Sequence, residues 1–96
     1  MAATSPSFAG SVNATTIQSI NITSGGFVTV LFTKIVSGRP ACAVSTNELV
    51  FDATTNGGRS LLSTLSGAKL SGRSVNAIGT NACTGPRENM SSLTVL

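Results

Sequence analysis

The side chains that could catalyse a reaction are few in this sequence. Its carboxylates are Glu48, Asp52 and Glu88, and it contains no histidine. A Ser-His-Asp triad is therefore excluded, and most metal sites lose their commonest ligand. A glycosidase needs two convergent carboxylates, whereas Asp52 already has a sufficient role in capping a helix. We therefore expect a protein that is not an enzyme and that uses no metal or other cofactor.

The two cysteines, Cys42 and Cys83, flank a helical stretch. Without histidine they fall short of the four ligands of a structural zinc site, and they do not form a CxxC redox motif. They are either two separate thiols or one disulfide, and the small size and Ser/Thr-rich composition favour the disulfide. We expect a secreted or periplasmic protein, with a cytoplasmic one as the alternative.

The basic residues are scattered along the chain and give a net charge of only +3. A nucleic-acid binder of this size usually shows a basic stripe, or spare aromatic residues on which bases stack. No apolar run approaches the ~20 residues that span a membrane. We therefore expect neither nucleic-acid binding nor membrane insertion.

Gly57-Gly58-Arg59 could hold an anion, but it lacks a longer phosphate-binding motif, and a plain helix start is favoured.

The composition indicates one small β-rich domain. The chain has 96 residues, of which 9% are charged, against roughly a quarter in typical proteins. About a third of the residues are Ser, Thr or Asn, and alternating Thr, Val and Ile favour strands. We expect residues 1–7 to form a flexible lead-in and residues 8–96 to form a single domain.

One helix is predicted in the middle of the chain. Leu61, Leu62, Leu65 and Ala68 follow one another at helical spacing, so they share one face. Asp52 or Thr54 is expected to cap this helix, with its true start nearer to Arg59, and Gly72 is expected to end it.

Five strands are predicted around the helix, the first of them long and bulged: Phe8 to Thr23, Phe27 to Ile35, Leu49 to Phe51, Val75 to Thr80 and Ser91 to Leu96. The central strand, helix and strand could form a parallel βαβ crossover or part of an antiparallel barrel. The full order, β-β-β-α-β-β, is that of the OB-fold. We therefore predict a mainly β protein with the OB-fold, a five-stranded Greek-key barrel with one α-helix between strands 3 and 4.

Residues 51–83, FDATTNGGRSLLSTLSGAKLSGRSVNAIGTNAC, carry a resemblance to a known family. Their Phe-Asp-x-Thr segment, Gly-Arg helix start, Ser-Gly-Arg-x-Val strand start and Gly-Thr-x-x-Cys end resemble the B subunits of toxins of the pertussis-like and subtilase-cytotoxin type. These are small secreted bacterial proteins. The resemblance implies a homopentameric OB-fold lectin that binds cell-surface glycans, often sialylated, and that can partner a catalytic A subunit.

The chain also departs from that family. A serine that commonly follows the first-strand aromatic is replaced by Ala9, and the chain has no Trp or Tyr. We expect Ser11, Lys34, Arg39 and Glu48 to serve as substitute glycan-binding residues. The alternative is a structural or protein-interaction domain that has kept the fold and lost the sugar site.

Overall fold

A computed structural model of the protein describes residues 9–96, and it is mainly β, as predicted. The predicted lead-in, residues 1–7, lies outside the described residues, as does Phe8. The described chain forms six strands and one helix: β1 (Ser11–Thr15), β2 (Ile17–Ile22), β3 (Phe27–Phe32), β4 (Glu48–Asp52), α1 (Asn56–Ser71), β5 (Val75–Thr84) and β6 (Arg87–Val95).

All six strands belong to one sheet, in the order β1-β5-β6-β4-β3-β2. Neighbouring strands are antiparallel except β4 and β6, which run parallel. The two edge strands, β1 and β2, are consecutive in the chain. The chain therefore forms one edge of the sheet with β1 and then crosses to the opposite edge, which it forms with β2.

The prediction of five strands with the helix between the third and fourth is corrected to six strands with the helix between β4 and β5. The predicted long first strand is two strands. Ala14 has a positive φ of 50°, a conformation that side chains rarely adopt, and Thr16 belongs to neither strand. Before the break Val12 pairs with Ala77 of β5, and after it Ile20 pairs with Val30 of β3.

The helix begins earlier than predicted because its cap is Thr55. The Thr55 hydroxyl accepts a hydrogen bond from the Gly58 N–H at 2.9 Å, so α1 starts at Asn56. Gly72 ends the helix as predicted, in the left-handed conformation with φ 67°. Within the described residues, no helix is long and apolar enough to cross a membrane.

The helix packs its predicted leucine face onto the sheet. Leu65 and Ala68 are buried, and Leu61 and Leu62 pack against the core at its margin. From the sheet side, side chains of all six strands complete the core: Val12, Ile17, Val28, Val30, Phe32, Leu49, Phe51, Val75, Ala77 and Met90, together with Val36 from the loop between β3 and β4.

Two features fix the chain around the ends of β5 and β6. Cys42 and Cys83 form the predicted disulfide, with a Cα–Cα distance of 6.2 Å. The segment from Thr84 to Asn89, which the sequence predicts to be a loop, is instead a hairpin turn flanked by strand residues. Thr84 pairs with Arg87 across the turn, where Gly85 has a φ of 61°. The two strands are therefore longer than predicted.

Candidate functional site

An open cleft of about 300 Å³ lies at the start of α1, beside the ends of β4 and β5. This volume is at the lower end of the range for small-molecule sites, roughly 300–1,000 Å³. Five segments contribute to the cleft, and its lining residues combine apolar and polar side chains: Phe27, Phe51, Asp52, Thr55, Gly58, Leu61, Thr84, Asn89 and Met90.

The apolar part of the cleft is built on core residues and one exposed aromatic ring. Phe51 and Met90 are each 4% exposed, so they form a rigid base. Phe27 is 37% exposed. It opens β3 and lies directly opposite Asp52 on β4. Directly opposed residues of an antiparallel pair have their Cβ atoms about 5 Å apart, so an aromatic ring and a carboxylate adjoin in the cleft.

The Asp52 carboxylate is held in position by the residues that follow it. Its Oδ1 accepts hydrogen bonds from the Thr54 hydroxyl at 2.6 Å and from the Thr54 backbone N–H at 2.9 Å. The hydroxyl, and after it the backbone N–H, hold the pKa of Asp52 below its ordinary value. Asp52 is therefore ionised at neutral pH. Within residues 9–96, its second oxygen, Oδ2, has no hydrogen-bond donor and is available to a ligand.

Asn89 supplies a second polar group. The Thr84 hydroxyl donates a hydrogen bond of 2.7 Å to Asn89 Oδ1. Because this contact occupies the amide oxygen, the Nδ2 hydrogens of Asn89 are left as donors. The cleft thus combines an acceptor at Asp52, a donor at Asn89 and the ring of Phe27. Its described lining contains one carboxylate and no lysine, arginine or cysteine.

The predicted glycan-binding residues lie elsewhere, around the loop between β3 and β4 (residues 33–47). Ser11 is half-buried, and its backbone exchanges two hydrogen bonds of 2.8 Å with Ser37 of this loop. Arg39 lies within the loop and donates from Nη1 to the Thr46 carbonyl at 3.3 Å. Its Nε is buried and has no hydrogen-bond partner among the described residues.

Of the other two predicted residues, Lys34 lies in the same loop and Glu48 directly follows it. Lys34 is exposed, and its backbone N–H donates to Thr15 Oγ1 at 3.2 Å. Glu48 starts β4 and accepts a hydrogen bond of 3.1 Å from Arg87 Nε, in a partly exposed ion pair. In the part of the chain that the structure describes, no side-chain hydrogen bond joins any two of these four residues, and none of them lines the cleft.

Sequence reasoning missed most of the cleft, although one signal for it was present. Val28, Val30 and Phe32 alternate as inward residues of β3, so Phe27 must face outward on that strand. Asp52 was expected only as a helix cap. Thr84 and Asn89 fall between two predicted strands, and only the hairpin pairing brings their side chains into contact.

The third carboxylate, Glu88, is completely buried. Its oxygens accept hydrogen bonds of 2.9 Å from the backbone N–H groups of Gly10 and Asn81. Gly10 and Gly79 lie against it, and a Cβ atom at either position would collide with the carboxyl group. Glu88 therefore joins the start of the described chain to β5 and β6, and its burial keeps it from reaching a substrate.

Within residues 9–96, no cluster of three or more His, Cys, Asp or Glu side chains could hold a metal ion.

Comparison with known proteins adds no family assignment, since no protein-family model and no curated protein matches the chain.

Proposed function

We propose that this protein is a non-catalytic carbohydrate-binding module whose sugar site is the cleft at the start of α1. The observation that carries the proposal is the juxtaposition of Phe27, Asp52 and Asn89 around one open cleft. Sugar hydroxyls both donate and accept hydrogen bonds, so they need acceptors such as Asp52 and donors such as Asn89. The C–H face of a sugar ring is apolar and fits a half-exposed aromatic ring.

The fold that we propose for this module is the OB-fold. If β1 and β2 are taken as two halves of one interrupted strand, the element order becomes β-β-β-α-β-β, as in that fold. Two observations support this interpretation. Thr16, at the interruption, accepts a hydrogen bond of 3.1 Å from the Thr33 N–H, and the two halves form opposite edges of a single sheet.

We further propose that the module is secreted or periplasmic and acts as a homo-oligomer on cell-surface glycans. The disulfide supports an oxidising compartment. The outer side chains of β5 and β6 at Ile78, Thr80, Ser92 and Thr94 are exposed and uncharged, which suits burial between copies. An oligomer would add avidity to weak sugar binding. The toxin-subunit resemblance supports a homopentamer and leaves a catalytic A subunit as a candidate partner.

A glycan array with purified oxidised protein tests the function, followed by titration of the best ligand against two Asn→Ala variants. Asn89→Ala removes the cleft donor, and Asn21→Ala changes an exposed asparagine on β2 outside the cleft. We expect Asn89→Ala to weaken binding about 3- to 10-fold, the effect of one hydrogen bond, and Asn21→Ala to leave it unchanged. Absence of any glycan binding would refute the proposal.

A second candidate function is a protein-interaction domain, and exposed apolar side chains favour it. Ile35 and Val44, both in the loop between β3 and β4, are 66% and 70% exposed. Contiguous exposed apolar patches mark contact surfaces, so this second function places the partner's contact on the loop that carries both side chains.

The Ile35→Ser/Val44→Ser double variant separates the two functions. The interaction function predicts that this variant loses binding to a purified partner protein while Asn89→Ala keeps it. Saturable sugar binding that is lost in Asn89→Ala and kept in the loop variant would contradict it.

A further inference from the structure

The charges around the cleft carry an inference about the kind of sugar that it takes, which rests on the proposed function. We infer that the cleft selects neutral saccharides and excludes acidic ones, such as sialylated or sulfated glycans. The inference follows from Asp52, the carboxylate in the cleft, and from the absence of any lysine or arginine in its described lining.

The basic residues nearest in sequence to the lining residues are Arg59 and Arg87. Arg59 directly follows Gly58 but is exposed on α1 and does not line the cleft. Arg87 lies two residues before Asn89, and its Nε is engaged by Glu48 at 3.1 Å. An acidic sugar bound in the cleft would therefore meet the Asp52 charge with no cation among the lining residues to offset it.

The start of α1 also lies at the cleft and would by itself attract an anion, since a helix N-terminus acts as roughly half a positive charge. Two features of this helix start oppose that attraction. The Thr55 hydroxyl already accepts from the Gly58 N–H, and Asp52 carries a full negative charge beside it. The carboxylate therefore determines the sign of the local field.

The same carboxylate gives a neutral sugar a specific contact. A neutral sugar ring carries several hydroxyls, so one can donate to Asp52 Oδ2 while another accepts from Asn89 Nδ2. A hydrogen bond to an ionised acceptor is about twice as strong as one between neutral groups. Neutral rings with free hydroxyls therefore gain the strongest contact that the cleft offers.

The test compares matched ligands and matched variants. Galactose-, glucose-, mannose- and N-acetylglucosamine-terminated oligosaccharides are titrated beside the same chains carrying a terminal sialic acid or a sulfate. Asp52→Asn removes the cleft charge and keeps an oxygen that can accept from Thr54. Asn21→Lys makes the same change in net charge, at an exposed residue of β2 outside the cleft. Circular dichroism checks that both variants fold.

We expect the wild-type protein to bind at least one neutral oligosaccharide about tenfold more tightly than its acidic counterpart. Asp52→Asn should reduce neutral binding about tenfold and abolish the discrimination, whereas Asn21→Lys should change neither. Preferential binding of acidic sugars in the wild type, or discrimination that survives Asp52→Asn, overturns the inference while the sugar-binding function stands. Absence of all sugar binding overturns the function and the inference together.

Discussion

The contact between Gly79 and the buried Glu88 makes a Gly79→Ala substitution a sharp test of how the sheet is held together. A Cβ atom at residue 79 would lie 2.6 Å from Glu88 Oε1, and closer still to Oε2 and to the carboxyl carbon. Gly79 is itself paired, since its N–H donates to the Gly10 carbonyl at 2.7 Å. The carboxyl group is completely buried, so it has little room to move away.

The expected loss of stability follows from the hydrogen bonds that the Glu88 carboxyl group loses when it is displaced. Gly10 and Asn81 each donate a backbone hydrogen bond of 2.9 Å to it. Each buried donor left without a partner costs about 1–3 kcal/mol, and overpacking alone costs about 1–3 kcal/mol. We therefore expect the free energy of unfolding to fall by about 3 kcal/mol, a large part of the ~5–15 kcal/mol of a typical domain.

The assay is urea unfolding of the oxidised protein, followed by circular dichroism because the chain has no Trp or Tyr. Gly67→Ala is the matched control, since a Cβ at that exposed helical position meets nothing within 4 Å. It should stabilise the protein by about 0.5–1 kcal/mol. If Gly79→Ala unfolds at the same urea concentration as the wild type, the buried hydrogen bonds of Glu88 do not hold these segments together as described.

Three further predictions follow from other parts of the structure. Replacing Cys42 and Cys83 together by alanine should lower the free energy of unfolding by about 4 kcal/mol, from a loop of 41 residues, as measured by urea unfolding; a loss below about 1 kcal/mol would contradict this. Gly58→Ala should destabilise the protein, and this loss should be several times larger than the gain from Gly67→Ala, because the Cβ atom at residue 58 would collide with the Asp52 carbonyl; a melting temperature of Gly58→Ala equal to that of the wild type would show that α1 can shift. Neutral-sugar binding should be constant well above pH 3.8, the ordinary pKa of Asp52, and should fall as the pH drops through the lower folded pKa; loss of binding near pH 6 would exclude Asp52 as the acceptor.

Much of the secondary structure could be predicted because its signals are local. The leucine spacing from Leu61 to Leu65 fixes which face of α1 is buried, and Gly72 is where the helix must turn left-handed. The strand predicted from Phe27 to Ile35 overlaps β3, which runs over Phe27–Phe32. The pairing of Cys42 with Cys83 followed from composition, since only one pairing of two cysteines exists.

The remaining features depend on contacts between distant residues. Ala14 adopts a positive φ where β1 ends its pairing with β5, and alanine gives no local sign of such a break. The burial of Glu88 needs Gly10 and Asn81 to donate from other segments of the chain.

The cleft was missed for the same reason. Phe27, Asp52 and Asn89 come from three strands and adjoin only in the assembled sheet. The prediction of Ser11, Lys34, Arg39 and Glu48 rests on residue type, and residue type does not show which side chains are close together in the folded sheet.

Chemical-shift mapping shows where on the protein a sugar binds, and so tests whether the cleft is the site. Isotope-labelled protein is titrated with the neutral oligosaccharide that binds best, and shifts of the amide signals are followed. We expect saturable shifts at Phe27, Asp52 and Asn89, with the signals of Ser11 and Arg39 unmoved. Saturable shifts confined to Ser11, Arg39 and Glu48 would instead place the site at the loop between β3 and β4 and contradict the account.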